Sequence, residues 1–182
     1  SLQPLITIVR ALPEELPAAV LVVLHTAPNA PSFLSNILGR ETPLVAEQTM
    51  DGEEIRHGRI YLPVSDHHLS INSNNVLIDQ GPKWRHLRPA INPLFMSAAE
   101  AHGSRVIGVL LSGNLEDGVD GLRQIKEAGG VTIVQDPGEA TSTSMPEHAI
   151  QAGVADHILV SSEIGGMLAK LTSGAAEIPK EQ

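Results

Sequence analysis

The sequence predicts an α/β fold of three layers, αβα, built around a doubly wound and mostly parallel sheet. Short apolar runs rich in β-branched residues recur along the chain with little polar alternation: Val20–Leu24, Val106–Leu111, Val131–Val134 and His157–Val160. Such runs are typical of strands that are buried on both faces of a parallel sheet. Segments with helical spacing lie between them, and alternation of strands with helices favours right-handed crossovers.

The helices are predicted from apolar spacing and from boundary residues. Pro13 ends the first helix, and the pair Gly129-Gly130 ends the fourth as a C-cap. The predicted helical segments are Leu2 to Val9, Pro31–Leu38, the stretch marked by Ile91, Leu94, Phe95 and Ala98, Gly118–Ala128, Met145–Ala152 and Ile164–Leu171.

The middle of the chain departs from this alternation. Four short segments there resemble strands: Pro43–Glu47, Arg59–Leu62, Leu69–Ile71 and Val76–Asp79. Ser73 and Asn74 between the last two are typical of a hairpin turn. We therefore expect a small antiparallel hairpin region at the edge of the sheet.

A length of 182 residues fits one domain, predicted over residues 1–174, followed by a frayed tail over 175–182. The first recognisable element is a helix that begins close to Ser1. A doubly wound domain normally opens with a strand, and the loop after that strand carries chemistry. We therefore expect the N-terminal strand and its loop to be missing from this chain, and the native polypeptide to be longer.

Composition excludes several classes of function. With 21 acidic and 12 basic residues the formal charge is −9, which disfavours binding to nucleic acid. The absence of cysteine excludes disulfides and thiolate chemistry. No apolar run is long enough to span a bilayer, and the N-terminus lacks the features of a signal peptide. We expect a cytoplasmic enzyme or regulatory domain with no membrane insertion and no cofactor.

Residues that carry chemistry are expected at the carboxyl ends of the strands, where ligands bind in open α/β sheets. His25 follows the first predicted strand, and Asp117 lies in a glycine-rich loop after the strand Val106–Leu111. A histidine oriented by an aspartate is the acid–base part of a catalytic triad, which makes both residues catalytic candidates. The alternatives are a histidine that is merely hydrogen-bonded and an aspartate that caps a helix.

Other polar groups have two interpretations each. Gly113 and Gly118 either form a tight turn or present backbone N–H groups to an anion. The run Asp-His-His over 66–68 suggests a metal site, but adjacent residues of a strand point to opposite faces. Arg85 and the neighbouring basic residues His86 and Arg88 form either a contact for an acidic partner or a solvated loop.

Five segments, in this order, resemble the motifs of one family. LVVLHTAP is similar to a strand followed by Q-H-M-P, and HGRIYLPVSDHHLSI resembles G-x-I-Y-x-A-P-x-D-x-H-L. RPAINPLFMSAA is similar to R-P-S-V-D-x-L-F-x-S-A-A, and GVLLSGNLEDGVDGL resembles G-V-x-L-T-G-M-G-x-D-G-x-x-G. VQDPGEATSTSMPEHAIQAGVADHIL matches A-Q-(D/E) followed by M-P-x-x-A-x-x-x-G-x-V-D. The family is the CheB-type protein-glutamate methylesterase catalytic domain of bacterial chemotaxis, and the resemblance runs from about Leu5 to Leu171.

The resemblance implies hydrolysis of methyl-glutamyl esters on the cytoplasmic helices of methyl-accepting chemoreceptors, with glutamine deamidation as a companion activity. It implies a Ser-His-Asp triad in which His25 and Asp117 match the histidine and the aspartate. The serine belongs to a G-x-S-x-G-G turn, and alignment through Leu12-Pro13 places it three residues before Ser1. The chain is then expected to hold no nucleophile and to be inactive or nearly so.

The sequence departs from the family pattern near the implied site. Gly113 and Asn114 fall in the loop that flanks the oxyanion and substrate region in the family. In that loop, Asn114 and Leu115 replace a methionine and a glycine of the motif. Asn92 replaces an aspartate. The chain carries no receiver domain, and the resemblance leaves a receiver or a methyltransferase module open as a partner.

Three functional hypotheses remain at this point. The first is acyl transfer by a serine outside this chain together with His25 and Asp117. The second is a catalytically degenerate binding or regulatory module of a chemosensory pathway. The third is a metal-dependent hydrolase that uses Asp66 with His67 or His68, although we expect no bound metal.

Overall fold

The computed structural model describes residues 2–25, 33–113 and 116–177, and its architecture confirms the predicted α/β fold. The helices are α1 Leu2–Arg10, α2 Leu34–Glu41, α3 Ile91–His102, α4 Val119–Glu127, α5 Ser144–Gln151 and α6 Ser161–Glu177. The strands are β1 Val20–Leu21, β2 Val45–Glu47, β3 Arg59–Tyr61, β4 His68–Ile71, β5 Val76–Asp79, β6 Ile107–Leu110, β7 Val131–Gln135 and β8 His157–Leu159.

The described strands form two parallel sheets and one antiparallel hairpin. The first parallel sheet has the order β1-β3-β2 and the second has the order β6-β7-β8. The hairpin joins β4 to β5, with Ile71 opposite Val76 at its turn. Of the four segments predicted in the middle of the chain, two therefore belong to a parallel sheet and two form the antiparallel region.

Helices cover both faces of the β6-β7-β8 sheet, which gives the three layers. Successive residues of a strand point to opposite faces. Ile133 of β7 accordingly packs with Ile8 of α1 and Ile164 of α6, whereas the next residue, Val134, packs with Leu122 of α4. All of these side chains except Ile8 are completely buried, and Ile8 is nearly so. Strands buried on both faces explain why their sequences show no polar alternation.

Several element boundaries differ from the predicted ones. The regular part of β1 has only two residues, although Val22 still donates its N–H to the carbonyl of Tyr61 at 3.0 Å. The helix α2 begins at Leu34, while residues 26–32, which include the predicted start of that helix, lie outside the described residues. The helix α6 continues to Glu177, past the predicted end of the domain at 174. None of the described helices combines the length and the apolar content that crossing a bilayer requires.

A cavity of about 1580 Å³ lies between the two parallel sheets. Among the described strands, β1 pairs only with β3 and β6 pairs only with β7, so each leaves one edge unpaired. Both of these strands line the cavity, together with apolar residues of α1 such as Leu5 and Val9. The carboxyl ends of β1 and β6 lie at one rim of this cavity, where His25 and Ser112 also line it.

The helices α3 and α4 cap each other at their N-termini. The carboxylate of Asp117 accepts hydrogen bonds from the backbone N–H groups of Ile91 at 2.5 Å and Asn92 at 3.0 Å, in the first turn of α3. In return, the Asn92 Oδ1 atom accepts hydrogen bonds from the N–H groups of Gly118 at 3.0 Å and Gly121 at 2.8 Å, at the start of α4. Each side chain thus satisfies backbone donors that have no partner within their own helix.

Two glycines allow α3 and α4 to approach this closely. A Cβ atom at Gly121 would lie 2.6 Å from the Cβ atom of Phe95. A Cβ atom at Gly118 would lie 2.7 Å from a methyl carbon of Leu110, and the φ of 101° at Gly118 is one that other residues rarely adopt. The start of α4 therefore depends on glycine at both positions.

Replacing Asn92 with alanine tests the reciprocal cap. The substitution leaves two amides without an acceptor, and because Asn92 is only 2% exposed, water cannot replace the lost oxygen. We expect the free energy of unfolding, measured by urea denaturation, to fall by about 2–4 kcal/mol.

Asn72 is a matched control for this substitution. Its Oδ1 atom also accepts two backbone N–H groups, from Asn74 at 3.0 Å and Asn75 at 2.8 Å, but it lies in an exposed turn. Asn72→Ala is expected to cost less than about 1 kcal/mol, because water solvates the freed amides. Equal losses for the two variants would contradict the assigned role of Asn92.

Candidate functional site

The structure brings His25 and Asp117 together, although 92 positions separate them in the chain. His25 follows β1, and Asp117 lies between β6 and α4. The His25 Nε2 atom is 2.9 Å from the Asp117 Oδ2 atom. The aspartate side chain is 1% exposed, whereas the histidine side chain is 26% exposed and keeps one side open to solvent. The contact joins the two parallel sheets at the rim of the cavity between them.

Asp117 is both a histidine partner and a helix cap. Its carboxylate accepts three hydrogen bonds, from Ile91, Asn92 and His25, so this buried anion is well satisfied. The N-terminus of α3 also favours a negative charge through the helix dipole. The helix that Asp117 caps is α3, however, and not α4, the helix that follows it in sequence; the N-cap of α4 is Gly118.

The direction of the His25–Asp117 hydrogen bond identifies the free ring nitrogen. A carboxylate only accepts hydrogen bonds, so the proton in this contact is carried by His25 Nε2. In the neutral ring the Nδ1 atom then keeps its lone pair and can accept a proton. This is the reverse of the chymotrypsin-type arrangement, in which Nδ1 faces the aspartate and Nε2 acts on the serine.

The loop after β6 is held by backbone hydrogen bonds. Gly113 donates its N–H to the carbonyl of Ser142 at 3.0 Å and accepts the N–H of Met145 at 3.0 Å. The Gly118 N–H is bound to Asn92. Neither glycine amide is therefore free to bind an anion in this structure. Asn114, the other residue of the predicted oxyanion loop, lies outside the described residues.

A chain of hydrogen bonds fixes the start of this loop. The Ser112 N–H donates to Gln135 Oε1 at 2.9 Å, and Gln135 Nε2 donates to Glu139 at 2.8 Å. Glu139 also accepts the backbone N–H and the hydroxyl of Ser161, each at 2.8 Å. Burial raises the pKa of Glu139, but the hydrogen bonds from Gln135 and Ser161 outweigh it, so its pKa lies below the ordinary value. The stabilisation from this carboxylate is therefore present above its ordinary pKa and is lost as the pH falls through the lowered one.

Neither this network nor the cap formed by Asn92 was predicted from the sequence. Gln135 is completely buried, and an asparagine inside a helical segment carries no motif. Only the three-dimensional placement of the helices shows what these side chains bind. One feature of the network remains unpaired: Ser112 Oγ is buried and has no hydrogen-bond partner within the described part of the chain.

The residues considered for a metal site bind other groups. The Asp66 carboxylate pairs with the Arg88 guanidinium, with an Nε–Oδ1 distance of 3.0 Å. His67 and His68 each use a ring nitrogen on a backbone carbonyl, at 2.7 Å and 2.8 Å. Within residues 2–25, 33–113 and 116–173, no group of three histidine or acidic side chains is arranged to hold a metal ion.

Comparison with known proteins identifies the family. The chain matches the model of the CheB methylesterase family over residues 1–168. It is 36% identical over 168 residues to protein-glutamate methylesterase/protein-glutamine glutaminase 2 of Anaeromyxobacter dehalogenans, a match that covers 92% of this chain and 49% of that protein. It is 31% identical over 172 residues to a putative protein-glutamate methylesterase/protein-glutamine glutaminase of Leptospira interrogans, covering 94% of this chain and 89% of that protein.

A solved structure shares the fold. The crystal structure of the CheB methylesterase catalytic domain of Thermotoga maritima superposes with a TM-score of 0.87 at 30% sequence identity, covering 93% of this chain and 92% of that one. The chain spans about half the length of several curated relatives that it matches, at 49% for both the Anaeromyxobacter and the Thermotoga proteins. These matches confirm the resemblance found in the sequence motifs: the chain belongs to the CheB methylesterase family.

Proposed function

We propose that this chain is the hydrolytic domain of a protein-glutamate methylesterase that acts on methyl-glutamyl esters of chemoreceptor helices and also deamidates glutamine there. Membership of the family supports ester hydrolysis as the reaction class. The observation that carries the proposal is the hydrogen bond between His25 Nε2 and the buried carboxylate of Asp117. It supplies an oriented base at the carboxyl ends of the strands, where α/β sheets bind ligands.

The proposed reaction is acyl transfer through a serine. His25 Nδ1 takes the proton of the serine hydroxyl as the serine oxygen attacks the ester carbonyl, and Asp117 stabilises the imidazolium that forms. The C–O bond to the methoxy group then breaks, and the imidazolium gives its proton to the departing methoxide oxygen, which leaves as methanol. Water, activated by the same nitrogen, hydrolyses the acyl-enzyme to release glutamate.

We propose that the serine belongs to a segment that precedes Ser1 in the native polypeptide. The cavity between β1 and β6 supports this assignment, because the edges of these two strands that flank it are unpaired among the described strands and its walls are largely apolar. A parallel strand in that position would pair with both edges and end at the rim where His25 lies. Leu2, at the start of α1, also lines the cavity, so a short turn could connect such a strand to α1.

The oxyanion donors of the proposed site are the amide of Asn114 and the amide that follows the serine. The Gly113 amide cannot serve in the observed conformation, because Ser142 already accepts it. The loss of one oxyanion donor typically raises the barrier by about 3–4 kcal/mol. The placement of these donors therefore decides how active the domain is.

We propose a cytoplasmic protein that meets the helices of chemoreceptors, with a receiver or methyltransferase module as a further partner. The greater length of several relatives is compatible with such a module. A charge of −9 argues against nucleic acid as a partner.

The second candidate function is a binding or regulatory module without turnover. The Gly113 amide favours this second function. Because it already donates to Ser142, the loop expected to hold the oxyanion has one donor fewer. A G-x-S-x-G turn encoded directly upstream of Ser1 would support the enzyme, and a different sequence there would support the binding module.

The first test compares two lengths of the protein. Residues 1–182 and the native polypeptide that includes the preceding segment are assayed for methanol release from methylated receptor. We expect the shorter form to be slower by about 10³-fold or more, because removal of a triad member leaves only the effects of binding and of the oxyanion hole. Similar, robust rates for both lengths would disprove the upstream serine.

The second test replaces Asp117 with asparagine in the native polypeptide. The amide cannot stabilise the imidazolium, so we expect kcat to fall by about 10³–10⁴-fold with a smaller change in KM. Asp120→Asn is the matched control, because Asp120 is an exposed carboxylate of α4 paired with Arg123 at 2.7 Å. A comparable loss of kcat in the control would contradict a specific role for Asp117.

The third test determines which nitrogen of His25 is protonated. We expect long-range ¹H–¹⁵N NMR spectra, recorded at a pH where the ring is neutral, to show the proton on Nε2, because Asp117 accepts from that atom. Asp117→Asn serves as the comparison, since it replaces the charged acceptor. A neutral ring protonated on Nδ1 in the unmodified protein would contradict the proposed base.

A further inference from the structure

A tight hairpin turn with unusual residues lies near the candidate site. Trp84 and Leu87 exchange backbone hydrogen bonds of 2.9 Å and 2.8 Å, which leaves Arg85 and His86 as the two central residues. Their φ angles are 47° and 70°. Turns with two positive φ values are normally made by Asn-Gly or by similar pairs, because a side chain makes this conformation costly. The turn therefore carries strain that a simple connection would not need.

The strained residues do not contribute to packing. Arg85 and His86 are both exposed. The turn is held from its base, where Arg88 binds Asp66 at 2.9 Å and the carbonyl of Gly81 at 3.1 Å. Strained backbone that the surroundings maintain, and that has no packing role, is a mark of a functional contact.

The turn reaches the catalytic rim through Glu116, the neighbour of Asp117. Arg85 Nη1 is 3.5 Å from one carboxylate oxygen of Glu116, and His148 Nε2 is 3.2 Å from the other. The three side chains are 65%, 55% and 44% exposed in the order Arg85, Glu116, His148. An exposed ion pair such as Arg85–Glu116 contributes little to stability, so another carboxylate can readily take the place of Glu116.

The charge of the turn differs from that of the protein as a whole. The formal charge of the chain is −9, yet the cations Lys83 and Arg85 lie two positions apart beside the rim. An acidic partner would be repelled by most of the surface and attracted at this place. Complementary charge at a rim steers an approaching partner and fixes its register.

We propose that the turn formed by residues 84–87 docks carboxylates of an acidic peptide or helix that flank the reacting ester, and that Glu116 occupies this position in the free protein. The inference rests on the proposed function and specifies the substrate class: an ester embedded among acidic side chains. Arg85 supplies the planar guanidinium that suits a carboxylate, and the strained turn holds it in an exposed position.

The test measures binding without requiring turnover. The native polypeptide is titrated with a labelled helical peptide in which glutamates flank a leucine placed at the position of the ester. The same titration is made with a peptide in which glutamines replace these glutamates. We expect the acidic peptide to bind about tenfold more tightly at low ionic strength, and expect this preference to shrink as salt is added.

The double substitution Arg85→Asn with His86→Gly separates docking from stability. It creates the Asn-Gly pair favoured in such turns, so we expect Tm to rise by about a few degrees while the preference for the acidic peptide disappears. Arg56→Asn is the matched control, because Arg56 is an exposed arginine paired with Glu54 at 3.3 Å and precedes β3 at the opposite end of the sheet. This control should keep the preference.

Glu116→Gln tests the proposed occupant of the docking position. Removal of the competing carboxylate should tighten binding of the acidic peptide by a few-fold. An unchanged preference in the Asn-Gly variant, or weaker binding after Glu116→Gln, would overturn the docking role. Hydrolysis of receptor esters without any charge preference would reject the docking turn alone, whereas charge-dependent binding with no hydrolysis would support the docking turn and reject the proposed reaction.

Discussion

The arrangement of this site depends on the hydrogen bonds that the carboxylate of Asp117 accepts. A buried anion is tolerated only when donors surround it, and here two backbone amides of α3 and one imidazole supply them. The same bonds cap α3, while Asn92 caps α4 from the opposite direction. The carboxylate that caps α3 therefore also orients His25. The histidine has a fixed partner because a helix cap holds that partner in place.

The two parallel sheets impose a second constraint. Among the described strands, β1 and β6 each leave one edge unpaired, both edges line the same apolar cavity, and the His25–Asp117 hydrogen bond spans the rim between them. Unpaired strand edges tend to pair with any suitable chain. A strand in the cavity would connect the sheets along their whole length, whereas the side-chain contact connects them only at one end. The buried hydroxyl of Ser112 at this rim, which has no partner among the described residues, is compatible with a partner supplied from the cavity.

General rules predicted that His25 and Asp117 lie close together but not the other contacts that they make. His25 and Asp117 could be selected because both follow strands, and carboxyl ends of parallel strands share one edge. Family motifs gave the same two positions and are confirmed at the level of the family. The target of the Asp117 cap could not be predicted, since the choice between α3 and α4 depends on how closely the helices pack. That packing depends in turn on Gly121, whose role is visible only beside Phe95. The hydrogen bond from the Gly113 N–H to the carbonyl of Ser142 could not be predicted either, because it depends on how the two loops pack.

The strained turn at Arg85 and His86 is held in place differently from the buried carboxylate of Asp117. Asp117 is fixed by many donors, so its position costs little once α3 and α4 are packed. Arg85 is held by the backbone of the turn and by an exposed contact with Glu116, and the positive φ angles oppose that conformation. A turn selected only for stability would carry Asn-Gly, which accepts these angles freely. Two large basic side chains at these positions support the docking role that we propose for the turn. In the function that we propose, His25, oriented by the buried Asp117, acts on the ester, and Arg85, presented by the strained turn, binds the acidic neighbours of that ester.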